Sequence, residues 1–191
     1  MGKTCTKSKK RNERKRKPDQ QETRNCFKSI AREIEKIKKE NLSITATMIT
    51  SLLNCAPHFI GCFADDQLDQ LKITSFPCFL ITNLDSSNQP GTHWVGLGIF
   101  KEKIEIFDPL GFDIFNWPKV PCGLMNFLHR LSVTRHVEIC PRIQSDSSRL
   151  CGIFSIFYIL KRTTATMKEI YSSFNLTDFE ENDCILLDCF K

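Results

Sequence analysis

Gln144-Ser145-Asp146-Ser147-Ser148-Arg149-Leu150-Cys151-Gly152-Ile153-Phe154-Ser155-Ile156-Phe157-Tyr158-Ile159-Leu160-Lys161-Arg162 is the stretch from which the rest of the chain is read. A polar run of seven residues leads to one cysteine, and the cysteine opens an almost wholly apolar segment closed by two basic residues. Isoleucine and phenylalanine also suit a buried strand, and periodicity does not separate the two readings. A length near twelve and the terminal Lys161-Arg162 favour a buried helix. Cys151 then stands at the helix N-terminus, where unpaired N–H groups and the positive end of the helix dipole favour a thiolate.

A chain of 191 residues with 41% hydrophobic content has room for one domain with an appendage. No run of about 18 apolar residues is present, so no membrane-spanning helix is expected. The N-terminus is charged, so no secretory signal is visible. The ten cysteines are accordingly expected to be reduced thiols. They contain no CxxC pair, so no metal site is expected and no cofactor is required.

The net charge of +5 conceals an asymmetry. Residues 1–17 hold nine basic side chains (Lys3, Lys7, Lys9, Lys10, Arg11, Arg14, Lys15, Arg16 and Lys17) against Glu13 alone. From Pro18 onward, 18 basic and 21 acidic residues leave −3. Residues 1–25 are read as a basic, disordered tail. Its nucleic-acid-binding candidates are Lys7, Lys9, Lys10, Arg11, Arg14, Lys15, Arg16 and Lys17, because clustered cations release counterions from phosphates. An import signal and a solubilising tail are the competing readings. Met1-Gly2-Lys3-Thr4-Cys5-Thr6 also fits an N-myristoylation pattern, a minority reading that would place the chain at a membrane.

Residues 26–42 read as an amphipathic helix, with Phe27, Ile30, Ile34 and Ile37 at helical spacing. Ser43 is expected to cap a second helix ending near Leu53. Asn54–Asp66 reads as an aromatic, turn-rich ordered loop. Phe76–Asn83 predicts a buried strand, and His93–Phe100 and Lys103–Asp108 predict two more joined by Lys101-Glu102. A helix near Gly123–Leu131, a strand near His136–Cys140, and helical segments at Met167–Phe174 and over the last dozen residues complete the pattern. Strands in the middle with helices at both ends indicate an α+β domain over residues 43–191.

A thiol protease needs a thiolate, an imidazole, a group that orients the imidazole and donors for the oxyanion. Cys151, His93 and Asp108 fill the first three roles, and Gln144 with the Cys151 N–H fills the last. A two-residue turn between antiparallel strands brings His93 and Asp108 together at the open end of the pair. Each of these residues taken singly has a structural reading: core cysteines are common, His58, His129 and His136 are also present, and aspartate often opens turns. Their joint order and their placement at element ends raise the chemical reading above the structural one.

His93-Trp94, Phe107-Asp108-Pro109-Leu110-Gly111-Phe112, Gln144 and Cys151-Gly152-Ile153-Phe154, in this order, resemble the adenovirus-type cysteine proteases, the adenain family. That family shares a clan with the proteases of ubiquitin-like modifiers. Phe59-Ile60-Gly61-Cys62-Phe63 and Leu80-Ile81-Thr82-Asn83 extend the resemblance upstream, so that it covers about Ser43 to Leu160. It implies a mixed central β-sheet flanked by helices, with the nucleophile on a central helix. It implies His93 as base, Asp108 as orienting acid, Gln144 as oxyanion donor, Cys151 as nucleophile, and Trp94 as a substrate-cleft candidate that a core aromatic would equally satisfy. It further implies a monomeric endopeptidase of viral or transposon origin. Such an enzyme cleaves capsid or core precursor proteins after small residues, glycine above all, in the host nucleus and the virion. Activation by DNA and by a viral peptide belongs to the family; no counterpart of the cysteine that links the peptide is found, and the basic tail would supply a built-in DNA contact. Adenain carries glutamate where Asp108 stands. The alternatives are a protease of ubiquitin-like modifiers and, in another class, a DNA-binding module with a degenerate protease body.

Overall fold

A computed structural model describes residues 20–40, 43–114, 116 and 121–190. The basic residues at positions 3–17 lie outside the described residues, as does the myristoylation pattern.

The chain order is α1 (Gln20–Lys39), α2 (Ala46–Leu52), β1 (Phe59–Ala64), α3 (Asp65–Leu68), β2 (Cys78–Asn83), β3 (Trp94–Ile99), β4 (Lys103–Phe107), α4 (Cys122–Ser132), β5 (His136–Ile139), α5 (Cys151–Lys161), α6 (Met167–Tyr171) and α7 (Asn182–Asp188). Five strands form one open mixed sheet in the order β1-β2-β3-β4-β5, with seven helices among the described residues. The two outer pairings are parallel and the two inner ones antiparallel.

Alternation along the strands divides the core in two. Phe79, Ile81, Trp94 and Phe107 point to the side that holds α5, together with Ile30 and Ile34 of α1, Ile49 and Leu52 of α2, Met167 of α6 and Leu186 of α7. Leu80, Val95, Leu97, Ile104 and Ile106 point to the other side, against Leu68 of α3 and Leu124, Phe127 and Leu128 of α4. Covered on both faces, β2 and β3 have no exposed position, which is why both read as near-continuous apolar runs.

α5 is the central helix. All ten residues from Cys151 to Leu160 are buried, so it has no polar face to betray its period. It seats closely on β3 because Gly96 and Gly98 leave room for Tyr158; a Cβ on Gly96 would come within 2.9 Å of Tyr158 Cδ1. The Tyr158 ring stacks on Phe107 with centroids 4.6 Å apart.

Several sequence expectations are corrected. α1 starts at Gln20, so residues 20–25 belong to it rather than to a disordered tail; Gln, Glu and Arg there are good helix formers. α2 is capped by Thr45, whose Oγ1 accepts from Met48 N at 3.2 Å, rather than by Ser43. That start turns Ile49 and Leu52 inward. The expected loop at Asn54–Asp66 contains β1, an edge strand parallel to β2. Its register shifts between Phe59 and Gly61, and Gly61 has φ +142°, a conformation that suits glycine. That bulge hides the strand in the sequence. Cys55 is disulfide-bonded, against the expectation of thiols throughout; it sits in an exposed turn after α2.

Two buried acids unforeseen in the sequence hold elements together. Asp65 accepts from Gly123 N at 3.0 Å and Leu124 N at 2.6 Å. It satisfies the start of α4, whose own N-cap, Pro121, has no side chain able to do so. Glu105, wholly buried on β4, accepts from Arg162 Nε at 2.6 Å, Arg162 Nη2 at 3.0 Å and the Tyr158 hydroxyl at 2.8 Å, and pairs with Lys103 Nζ at 2.8 Å. Burial pushes the Glu105 carboxyl up, but these donors together hold it below the usual carboxylate range. Among the described residues no helix is long and apolar enough to cross a membrane.

Candidate active site

His93 and Asp108 flank the β3–β4 hairpin at its open end. The antiparallel register pairs Gly96 with Phe107, which carries His93, just before β3, to the level of Asp108, just after β4. His93 Nε2 lies 2.8 Å from Asp108 Oδ1. The same carboxylate oxygen accepts from Leu110 N at 2.9 Å, and Gly111 N donates to Asp108 O at 2.9 Å. Asp108 therefore both opens the turn and holds the imidazole, so the two readings of Asp108-Pro109-Leu110-Gly111 hold together.

Cys151 is the first residue of α5, and its side chain lies near enough to His93 to act on the charge of the imidazole. With Nε2 taken by Asp108, Nδ1 is the ring nitrogen left to face sulfur. Burial pulls the His93 pKa down, but the hydrogen bonds with Asp108 and Cys151, and the negative charge of each, raise it to about 9. An imidazolium is the partner that stabilises a thiolate. Among the other thiols, burial pushes Cys62 up to about 12 and Cys78 up to about 11. Cys62, half-buried, and Cys78, buried, therefore hold their protons at neutral pH.

The N-cap of α5 is Leu150, which offers no capping side chain. The first N–H groups of the helix therefore have no partner within it, as an oxyanion site requires. Gly152 admits no side chain, because a Cβ would strike Ile44 and come within 3.1 Å of Trp94. Trp94 is buried at 6% exposure, its ring lies against Gly152, and its carbonyl accepts from Ser155 Oγ at 3.2 Å. The structure thus places Trp94 in the core under the site, with its backbone joined to α5.

Gln144 is brought beside the same loop and is 2% exposed. Its backbone N donates to Pro109 O at 2.8 Å, as does Ile143 N at 2.9 Å. These bonds seat the loop against the turn that follows Asp108. Gly111, with φ +67°, makes this seat possible, since a Cβ there would lie 2.6 Å from Arg142 Cα. The Gln144 amide nitrogen donates to Ser148 O at 3.0 Å and approaches Ser148 Oγ at 3.2 Å. Gln144 Oε1 and Asp108 Oδ2 are buried with no hydrogen-bond partner among the described residues.

His93 and Asp108 are bonded directly, and Gln144 is joined to the turn after Asp108 and, through Ser148, to the residue before Cys151. Phe112, whose ring meets His93 edge-on at 6.1 Å, and Ser148 belong to the same neighbourhood. Sequence reasoning missed the role of both. The Asp108-Pro-Leu-Gly turn is the signal for Phe112, and nothing in the spacing singles out Ser148. Among the described residues no group of three or more His, Cys, Asp or Glu is placed to hold a metal ion.

No family model matches the chain, and no curated protein matches it.

Proposed function

We propose that this chain is a cysteine endopeptidase of the adenain type, cutting precursor polypeptides of a virus or virus-like transposon after small residues, especially glycine. The observation that carries the reading is the buried imidazole of His93, 2.8 Å from the carboxylate of Asp108 and beside the thiol that opens a buried helix.

In this reading the Cys151 sulfur attacks the scissile carbonyl carbon as a thiolate. The Cys151 N–H and the Gln144 amide stabilise the charge on the carbonyl oxygen. The His93 imidazolium gives its proton to the departing amine, leaving an acyl group on sulfur. Neutral His93 then takes a proton from water, which attacks the thioester and releases the carboxylic product, restoring the thiolate beside the imidazolium. Asp108 stays ionised throughout and fixes the ring so that Nδ1 faces sulfur. The nuclear and virion setting, and activation by DNA or a viral peptide, accompany the adenain reading as proposals.

The test is covalent labelling with a thiol-reactive peptide probe ending in glycine. Labelling should disappear in Cys151→Ala, and labelling that persists on another cysteine would overturn the assignment. Cleavage of a capsid precursor rather than a ubiquitin-like fusion is the expected substrate outcome, and the reverse result would favour a modifier protease.

A further inference from the structure

Four tethers from the segment after α6 converge on the loop between β5 and α5 that carries Gln144. The Arg142 guanidinium lies over the Phe179 ring at 4.8 Å, while its Nε donates to Gln144 O at 2.9 Å. Asn182, wholly buried, donates to Ile143 O and to Asn175 O, each at 2.7 Å, and accepts from Asn175 N at 2.8 Å. Ser147 Oγ reaches Glu180 at 3.2 Å. Ser148 Oγ donates to Asp183 Oδ1 at 2.7 Å.

The last of these is the consequential one. A hydroxyl has a single proton and two acceptor lone pairs. Ser148 gives its proton to Asp183, so its oxygen can face its remaining neighbours only as an acceptor. Those neighbours are the Gln144 amide nitrogen at 3.2 Å and Leu150 N at 3.2 Å, the N-cap of the helix that Cys151 opens. One oxygen thus joins the side chain of the oxyanion donor to the start of the nucleophile's helix, and Asp183 sets the direction in which it points. Nothing holds the amide from its other end, because Gln144 Oε1 is buried without a partner among the described residues. An amide nitrogen carries two protons. The 3.0 Å bond to Ser148 O occupies one, and the longer contact to Oγ fixes the orientation of the amide before an oxyanion forms.

We infer that Ser148 and Asp183 are positioning residues of the oxyanion hole: Asp183 orients the Ser148 hydroxyl, which in turn aims the Gln144 amide nitrogen and anchors the N-terminus of α5. The inference rests on the roles proposed above for Cys151 and Gln144.

The experiment compares the full chain with Asp183→Leu, Asp183→Asn and Ser148→Ala. One measurement is kcat and KM on a peptide amide with glycine at the cleaved bond. The other is the rate of Cys151 with a small aromatic disulfide across pH, a reaction that needs the thiolate and forms no oxyanion. Loss of a whole oxyanion donor costs about 10²–10³ in kcat, so misaiming one should cost about 10-fold. Asp183→Leu should show that loss with KM nearly unchanged and the disulfide profile unmoved. Asp183→Asn, which keeps an acceptor oxygen, should recover most of it. If Asp183→Leu fails to fold, Ser148→Ala, which deletes only the hydroxyl, is read on the same two measurements. A Cys151-dependent activity that neither variant reduces overturns the inference alone, and so does an equal loss of peptide cleavage and disulfide reactivity. An activity indifferent to Cys151→Ala removes the protease assignment and this inference with it.

Discussion

The imidazole of His93 works against its own burial. At 8% exposure it should hold a proton less readily than free histidine, yet its partners lift its pKa from 6.5 to about 9. The folded value lies above the unfolded one, so the protonated ring stabilises the fold. That contribution is complete below pH 6.5 and is lost as pH rises through about 9. An NMR titration of His93 should show a midpoint near 9, and peptide cleavage should fall on the alkaline side over the same range. In Asp108→Asn the midpoint should move down, because burial would then be opposed by Cys151 alone; an unmoved midpoint would show that Asp108 does not hold the ring. His93→Ala should lower turnover by about 10³ or more, measured on the same peptide amide. The four residues proposed for the chemistry were legible in the sequence because each role admits few side-chain types and each stands at an element end. Asp183 was not, because it reaches Ser148 across 35 positions through a contact that no spacing rule describes.

At the scale of elements, α5 is pinned to the sheet at both of its ends. Near its start Ser155 bonds the Trp94 carbonyl, and beyond its end Arg162 grips Glu105 with two nitrogens. Arg162→Ala would leave a wholly buried carboxylate with Lys103 and Tyr158 as its remaining donors. It should cost about 3–5 kcal/mol of stability in chemical denaturation, the range for breaking a buried ion pair by removing one partner. Gly96→Ala should cost about 1–3 kcal/mol by the same measurement, since a methyl group there meets the Tyr158 ring. Strands β2 to β5 and helices α4 to α7 were readable from apolar runs and turn residues, within a few positions at their ends. β1 was not, because Pro57 and Gly61 signal turns and the strand is bent by a bulge at the sheet edge. Glu105 was read only as the polar member of an alternating strand. Alternation shows that it faces a different side from Ile104 and Ile106, but not that this side is also buried.

Taken as a whole molecule, the protein places its positive charge away from the candidate site in sequence. Nine of its 27 basic residues fall in positions 1–17, and the remainder of the chain is mildly acidic. Deleting residues 1–17 should abolish binding to duplex DNA at moderate salt, measured by fluorescence anisotropy, and should flatten the dependence of affinity on salt; unchanged binding would show that the tail does not contact DNA. The sheet lies in strict chain order, so each strand can join as it is made, and His93 and Asp108 are brought together by a local hairpin. The bracing of the Gln144 loop has the opposite character, since it comes from residues 175–183. Chains leave the ribosome N-terminus first, at about 5–20 residues per second. Cys151, His93 and Asp108 are therefore all synthesised seconds before the residues that brace the loop of Gln144. A nascent chain would pass through an interval in which Cys151, His93 and Asp108 are present but the loop of Gln144 still lacks its brace.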